Sequence, residues 1–180
     1  MFKTLGDFGQ KFFPKHLLIK HGLNISPMYR RSTGRIIEIS EDLMRIRVKL
    51  AISWRNKNYA NTIFGGSMFA TVDPMPMVQL VNVLGPDFVV WDKSAQINFK
   101  RPAKEDLYAT FEFTETEIAE IKNRVAREGE IEINKLTLLT NKDASQTYCE
   151  IDKRIYIADK AFYKQKIVDA TQRQEAEQQS

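Results

Sequence analysis

Hydrophobic and polar residues alternate along most of the chain after residue 33, with the two-residue period of half-buried β-strands. The longest run extends from Met44 to Trp54, where every second residue is apolar and the residues between are mainly basic. Similar alternation predicts strands near residues 36–39, 88–99, 107–114, 131–140 and 147–157. Apolar-in, polar-out strands joined by turns are typical of an antiparallel sheet with one face against a core.

The segment from Ser67 to Leu84 has a different pattern, because its apolar residues occupy every side of a helical wheel. A helix of this kind is either buried or spans a membrane. Asp73 and the prolines at positions 74 and 76 interrupt the segment, which disfavours a membrane span. We therefore predict a buried helix that kinks or restarts beside the prolines.

Three other regions have weaker helical patterns. Residues 116–127 have apolar positions at helical spacing and end before Gly129, and a pattern that begins at Asp159 fades into a frayed polar tail. Residues 1–30 mix aromatic residues with lysines, and Pro14 and Gly22 are expected to divide them into short helices. These helices either pack on the surface of the domain or form an amphipathic flap over a ligand or a membrane surface.

The predicted sheet needs a cover for its apolar face, and segment 67–84 is the only helix apolar enough to provide it. The sequence therefore predicts an α+β fold in which an antiparallel sheet wraps around one long central helix. We expect an N-terminal helical extension over residues 1–30, the main domain over 31–158, and a C-terminal helix with a polar tail over 159–180. Open sheet edges and the apolar helix favour association of the chain with itself, as a homodimer or a dimer of dimers.

Composition narrows the possible functions. The 180 residues include 27 basic and 23 acidic side chains, and no dense basic patch with interleaved aromatic residues indicates nucleic-acid binding. One cysteine and two histidines without regular spacing give no pattern for a metal site. Cys149 shares the apolar face of its strand, which favours a place in the core over a role as nucleophile. The N-terminus lacks the apolar run of a secretory signal, so we expect a soluble cytoplasmic protein without an integral membrane segment.

Two features near the apolar segment suggest a site. Gly65 and Gly66 precede the helix, where free backbone N–H groups can bind negative charge, although the pair could also serve tight packing on the sheet. Asp73 is the only charged residue between Lys57 and Asp87. It could act chemically, or it could cap a helical segment that begins at Pro74, and the two roles are compatible.

The sequence Phe64-Gly65-Gly66, followed by Asp73, resembles the PaaI-like thioesterases of the hotdog-fold superfamily. Members of that group have a His-Gly-Gly at the start of the central helix and an acidic residue seven positions after the second glycine. The resemblance extends over roughly residues 33–157 and includes the strand from Asp92 to Phe99. This chain departs from the pattern at Phe64, which occupies the position of the family histidine.

The resemblance implies hydrolysis of an acyl-CoA or related thioester at a dimer interface, with no cofactor except the CoA that is part of the substrate. The backbone N–H of Gly66 would bind the oxyanion, and Asp73 from the partner subunit would act as general base or nucleophile. Gly65 would allow close approach of the substrate, and Asn61 would orient its carbonyl or the water. Further substrate contacts are expected from Asn58, Ser67, Thr71, Arg101 and Lys100.

Two other functions are compatible with the same fold. A non-catalytic module that binds an acyl chain or acyl-CoA would keep an apolar tunnel, which we expect Met68, Phe69, Met75 and Met77 to line. A hydratase or dehydratase would need a histidine in the site, and neither His16 nor His21 lies near the glycine pair in the sequence.

Overall fold

The computed structural model describes residues 14–178, and their side chains as far as residue 174. The parts of the predicted N-terminal extension and polar tail at residues 1–13 and 179–180 lie outside the described residues. The described chain contains six helices and six strands. The helices are α1 (Lys15–Ile25), α2 (Pro27–Arg30), α3 (Gly65–Val72), α4 (Pro74–Leu84), α5 (Glu115–Glu128) and α6 (Lys160–Gln178). The strands are β1 (Gly34–Ile39), β2 (Arg45–Leu50), β3 (Phe88–Phe99), β4 (Leu107–Glu112), β5 (Glu130–Thr140) and β6 (Thr147–Asp159).

The six strands form one antiparallel sheet in the order β1-β2-β4-β5-β6-β3. Strand β6 lies between β5 and β3 and pairs with both along most of its length. Strands β4 and β5 share a single residue pair, Tyr108 with Thr140. Strands β1 and β3 therefore form the two edges of the sheet, and β3 is long and largely exposed.

Helices α3 and α4 cover the apolar face of the sheet. Met68, Val72 and Met75 pack into one part of the core, and Leu80 and Leu84 pack into the other part. The predicted restart beside the prolines is thus confirmed, because segment 67–84 belongs to two helices that meet at Asp73. The prolines at positions 74 and 76 cause this interruption. They lack the N–H groups that, in a continuous helix, would each donate to the carbonyl four residues earlier.

The extent of several elements differs from the sequence prediction. Strand β2 ends at Leu50 rather than at Trp54, whose side chain is 83% exposed beyond the strand. Gly22 lies inside α1 and does not break it. The C-terminal helix continues through Gln178, where the sequence pattern predicts a frayed tail.

Helix α1 packs against the edge strand β1. Asn24 donates from its side chain to the carbonyl of Ile36 at 2.9 Å and accepts from the backbone N–H of Ile36 at 2.8 Å. Lys20 donates to the carbonyl of Ile37 at 2.8 Å. These contacts attach the described part of the N-terminal region to the surface of the domain. Among residues 14–178, no helix is both long enough and apolar enough to cross a membrane.

Candidate functional site

The start of α3 presents two backbone donors. Gly65 and Gly66 are the first residues of the helix, and their N–H groups have no acceptor among the described residues. The preceding segment is held in place, because the Phe64 N–H donates to the carbonyl of Asn56 at 2.7 Å and the Ile63 N–H donates to that of Ala103 at 2.9 Å. The two free donors therefore stand on a fixed backbone at the positive end of a helix.

Aromatic rings explain why this helix starts with two glycines. A Cβ atom added to Gly65 would lie 2.8 Å from a ring carbon of Phe99, and one added to Gly66 would overlap the ring of Phe64. Both rings are largely exposed. The glycines thus allow the two aromatic side chains to lie directly against the backbone at the helix start.

A surface pocket of about 420 Å³ adjoins Gly65. It is open to solvent and lies between the loop before α3 and the end of β3. Its lining combines polar, apolar and basic residues: Asn58, Thr62, Ile63, Gly65, Met68, Phe99, Lys100, Arg101 and Pro102. The structure therefore brings to one pocket four residues expected from the sequence to contact substrate: Asn58, Gly65, Lys100 and Arg101.

The two basic residues of the pocket differ in their partners. Lys100 forms an ion pair with Glu150 at 2.7 Å, so a carboxylate already compensates its charge. Arg101 donates to the side-chain oxygen of Gln146, which is neutral. Arg101 is therefore the better of the two for binding an anionic group.

The asparagines before the helix organise a tight loop. The side-chain oxygen of Asn58 accepts from the N–H groups of Ala60 and Thr62 at 2.9 and 3.1 Å, which is the pattern of an Asx turn. Asn61 is exposed, has a positive φ of 59°, and does not line the pocket. The geometry of Asn58 accords with loop hydrogen bonding, and a role of Asn61 toward substrate stays a prediction.

Ser67 and Thr71 lie farther along α3. The Thr71 hydroxyl is fully buried and donates to the carbonyl of Ser67 at 2.7 Å, and the carbonyl of Thr71 accepts from the hydroxyl of Tyr29. These contacts favour a structural role for Thr71. Ser67 is half-buried and lies outside the pocket lining, so its expected contact with substrate also stays a prediction.

Asp73 stands at the junction of α3 and α4. It occupies the N-cap position of α4, with Pro74 as the first helical residue, as the sequence suggested, but its side chain is 44% exposed and forms no capping hydrogen bond. The carboxylate instead binds the ammonium of Lys153, with Nζ at 2.9 Å from Oδ1. The same ammonium donates to the backbone carbonyl of Asp73 at 2.6 Å and to the Asp92 carboxylate at 2.6 Å.

Two members of this cluster, Lys153 and Asp92, were not predicted from the sequence as site residues. Lys153 lies on β6 between Ile151 and Ile155, on the face that packs against the helices. The strict alternation of this strand contained the signal, since a lysine at an inward position needs a buried partner for its charge.

Gly66 and Asp73 of one chain are separated along the helix axis. Seven residues at the rise of an α-helix correspond to roughly 10 Å. A water or carboxylate oxygen must come within roughly 3.5 Å of the carbon that it attacks. Because the Gly66 N–H lies at the free end of α3 and Asp73 follows its other end, the geometry favours joint action on one carbonyl carbon by groups from two copies of the chain.

Most of the chain matches one protein-family model. A family model described as "Domain of unknown function (DUF4442)" matches residues 15–155. The chain belongs to this family. No curated protein matches this DUF4442 chain at a significant level.

Solved structures similar to the DUF4442 chain share its fold. A protein of unknown function from Pseudomonas aeruginosa, described as "Probable Thioesterase", has 18% identity and a TM-score of 0.69, and the match covers 79% of this chain and 94% of that one. A protein of unknown function from Chlorobaculum tepidum has 15% identity and a TM-score of 0.62, with 78% and 94% coverage. A thioesterase from Haemophilus influenzae has 11% identity and a TM-score of 0.56, with 77% and 87% coverage. The α+β hotdog fold expected from the sequence is thereby confirmed.

Proposed function

We propose that this protein hydrolyses an acyl-CoA or related thioester at a site shared by two copies of the chain. The observation that carries the proposal is the start of α3, where the N–H groups of Gly65 and Gly66 are unpaired and Gly65 lines an open pocket that also contains Arg101. Such preorganised donors stabilise the negative oxygen that forms when a carbonyl is attacked. The description of similar structures as thioesterases supports the same reaction class.

In the proposed reaction, the Gly66 N–H of one copy binds the thioester carbonyl oxygen and polarises the carbon. Asp73 of the other copy takes a proton from water, whose oxygen attacks that carbon, or attacks the carbon itself. The C–S bond then breaks, and the thiolate leaves and takes up the proton that Asp73 removed from water. Where Asp73 attacks the carbon itself, the thiolate takes a proton from solvent, and water then hydrolyses the acyl–Asp73 anhydride to release the acid and regenerate the carboxylate. Asp73 suits this role because its carboxylate is half-exposed and has an oxygen, Oδ2, with no hydrogen-bond partner among the described residues.

Distance and the exposed edge of the sheet support the proposal that two copies share the site. Gly66 and Asp73 of one chain are roughly 10 Å apart along the helix. Strand β3 offers a long unpaired edge through which a second copy could add its own strand. An isologous pair formed in this way would contain two equivalent sites.

Arg101 and the aromatic rings suggest the carrier. Arg101 can bind phosphate oxygens, and Phe64 and Phe99 are exposed beside the pocket, where rings can stack on a flat heterocycle. A nucleotide-bearing thiol such as CoA has both groups. Apart from this part of the substrate, the proposed reaction uses no cofactor.

The test is thiol release from short, medium and long acyl-CoAs, measured for the wild type and for Asp73→Asn. We expect the substitution to lower kcat by about 100-fold or more, because it removes the base or nucleophile without changing the size of the side chain. Asp152→Asn is the matched control. Asp152 lies one residue before Lys153 on the opposite face of β6, so its substitution should leave kcat within about three-fold of wild type.

Each result bears on a different part of the proposal. Turnover by the wild type that is lost only in Asp73→Asn would support both the reaction and the residue. Equal turnover in both proteins would keep the hydrolase and exclude Asp73. Absence of turnover with every substrate would contradict the proposed reaction.

A second function, binding of an acyl chain or acyl-CoA without catalysis, is favoured by one observation. Phe64 stands where the PaaI-like thioesterases that the sequence resembles have a histidine, and its ring lies over Gly66. Of the residues expected to line an apolar tunnel, Met68 adjoins the pocket, whereas Met75 is fully buried in the core. Saturable binding of acyl-CoA without thiol release, measured by calorimetry, would support this alternative.

A further inference from the structure

Lys153 is the only charged residue that is fully buried among residues 14–174. It occupies an inward position on β6, with Ile151 and Ile155 as its neighbours on the same face. Burial of an ammonium costs several kcal/mol unless other groups pair with it. Isoleucine would fit the apolar pattern at this position, so stability alone does not require a lysine here.

The Lys153 ammonium has three N–H donors and three acceptors within bonding distance. These are the Asp73 carbonyl at 2.6 Å, the Asp73 Oδ1 at 2.9 Å and the Asp92 Oδ2 at 2.6 Å. Two of the three acceptors belong to Asp73. The ammonium therefore fixes both the backbone and the side chain of that residue.

This arrangement holds one end of the Asp73 carboxylate and leaves the other end accessible. Oδ1 is bonded to Lys153, whereas Oδ2 has no partner among the described residues and the side chain is 44% exposed. Helical hydrogen bonds are also interrupted at this point by Pro74 and Pro76. Without the ammonium, the carboxylate at such a break would be free to rotate about its side-chain bonds.

Asp92 completes the cluster from the edge strand. The pairing of β3 with β6 shifts by one residue between Asp92 and Ser94, so that Lys93 is the extra residue of a β-bulge. Before the bulge, Asp92 pairs with Ile155 and shares its inward face. The bulge thus changes the direction of β3 beside Asp92, whose carboxylate reaches Lys153.

We propose that Lys153 is a positioning residue for catalysis: its ammonium orients Asp73 so that the free carboxylate oxygen faces the substrate bound to the other copy. This role rests on the function proposed above. Lys153 itself is buried and does not touch substrate. Its contribution is to hold a reacting group in one geometry, and loss of such positioning can slow a reaction by one or two orders of magnitude.

The test must separate positioning from folding. Lys153→Met alone would leave two carboxylates near each other without a cation, and this variant could fail to fold for that reason. The double variant Lys153→Met with Asp92→Asn avoids the repulsion. The net charge of the cluster is also preserved. It is about −1 in the wild type, from one ammonium and two carboxylates, and about −1 in the double variant, from Asp73 alone. The reference for the double variant is Asp92→Asn.

We expect kcat of the double variant to be about 10- to 100-fold below that of Asp92→Asn, with KM within about three-fold, because the substrate pocket at Gly65 is unchanged. Lys153→Arg, which keeps a cation, should retain more of kcat than the methionine variant. Lys135→Met is the matched control. Lys135 lies on β5 and forms a part-buried ion pair with Glu117 of α5 at 2.8 Å. Loss of this ion pair should leave kcat unchanged.

The outcomes distinguish this role from the reaction itself. Turnover by the wild type with equal kcat in Asp92→Asn and the folded double variant would overturn the positioning role and leave the hydrolase intact. A parallel loss of kcat in Lys135→Met would overturn it too, because the effect would then follow from any lost ion pair. No turnover by the wild type would overturn the proposed reaction and this role with it.

Discussion

At the scale of single residues, the site depends on groups whose chemistry is set by their neighbours. Asp73 lies at a break between two helices, where its carboxylate meets a buried ammonium on one side and solvent on the other. Gly66 provides a free N–H, but the ring of Phe64 lies against its Cα. The same residue types elsewhere in the chain, such as Asp143 in an exposed turn, lack this combination of fixation and access.

Cys149 allows a prediction about a nucleophile that the site does not use. Its thiol is fully buried on β6, and burial raises its pKa to about 11. At pH 8 only about one thiol in a thousand would be ionised, and the thiolate is the reactive form. We expect Ellman's reagent to react with the native protein at least about 100-fold more slowly than with protein unfolded in urea. Iodoacetamide should leave the proposed thioester hydrolysis intact, and a rapid loss of activity on alkylation would contradict a structural role for Cys149.

Residue patterns predicted the core better than they predicted the polar cluster. The alternation along β6 correctly placed Cys149 and Ile151 on the buried face. The same alternation places Lys153 there, but the identity of its partners depends on β3 and on the helix break, which are distant in sequence. Local patterns identify which side chains point inward, whereas pairing of charges is a property of the folded chain.

At the scale of elements, the central segment works as two helices rather than one. The prolines indicated a break, and the structure places it at Asp73. Met75 at the start of α4 still packs with α3 into one part of the core, whereas Leu80 and Leu84 pack into the other part. The end of β2 was harder to predict, because the alternation continues to Trp54 after pairing with β1 and β4 has stopped. Periodicity describes which residues could face a core, but hydrogen bonding to a neighbour decides where a strand ends.

Gln79 joins α4 to the sheet and supports a stability prediction. It is fully buried, and its side-chain nitrogen lies 3.0 Å from the carbonyls of both Leu43 and Met44 and 3.4 Å from that of Phe111. Gln79→Leu would remove this donor, and we expect the free energy of unfolding to fall by about 1–3 kcal/mol in urea titrations. Loss of its unpaired side-chain oxygen offsets part of the cost.

The control for Gln79 is the same substitution on an exposed helix. Gln172→Leu on α6 should change the free energy of unfolding by less than about 0.5 kcal/mol. A comparably small effect at Gln79 would mean that other groups or water satisfy the three carbonyls, and that α4 is held to the sheet by apolar packing alone.

At the scale of the whole molecule, the proposed site requires two chains. Val81 on the central helix α4 is 47% exposed, as is Val168 on the outer helix α6. If a second copy covers the helix and the β3 edge, only the first of these valines would become buried. The two positions are therefore matched reporters of which face of the molecule associates with another copy.

Complementation between two inactive variants tests this shared site directly. Asp73→Asn lacks the acid, and Gly66→Pro lacks the backbone N–H that would bind the oxyanion, at a first-turn position where a helix tolerates proline. In a mixed dimer, the Gly66 of the first chain and the Asp73 of the second chain form one intact site, while the other site is doubly defective. Random pairing makes half of the dimers mixed, so co-expression should restore about a quarter of wild-type kcat.

The mixed dimers need a control for association itself. Val81→Asp introduced into both inactive chains should abolish the restored activity and lower the mass measured by light scattering to that of one chain, because a carboxylate would be buried in the interface. Val168→Asp should change neither quantity. Restored activity that persists with Val81→Asp would place the contact between copies elsewhere. Absence of any complementation between folded, dimeric variants would contradict a site that combines Gly66 of one copy with Asp73 of the other.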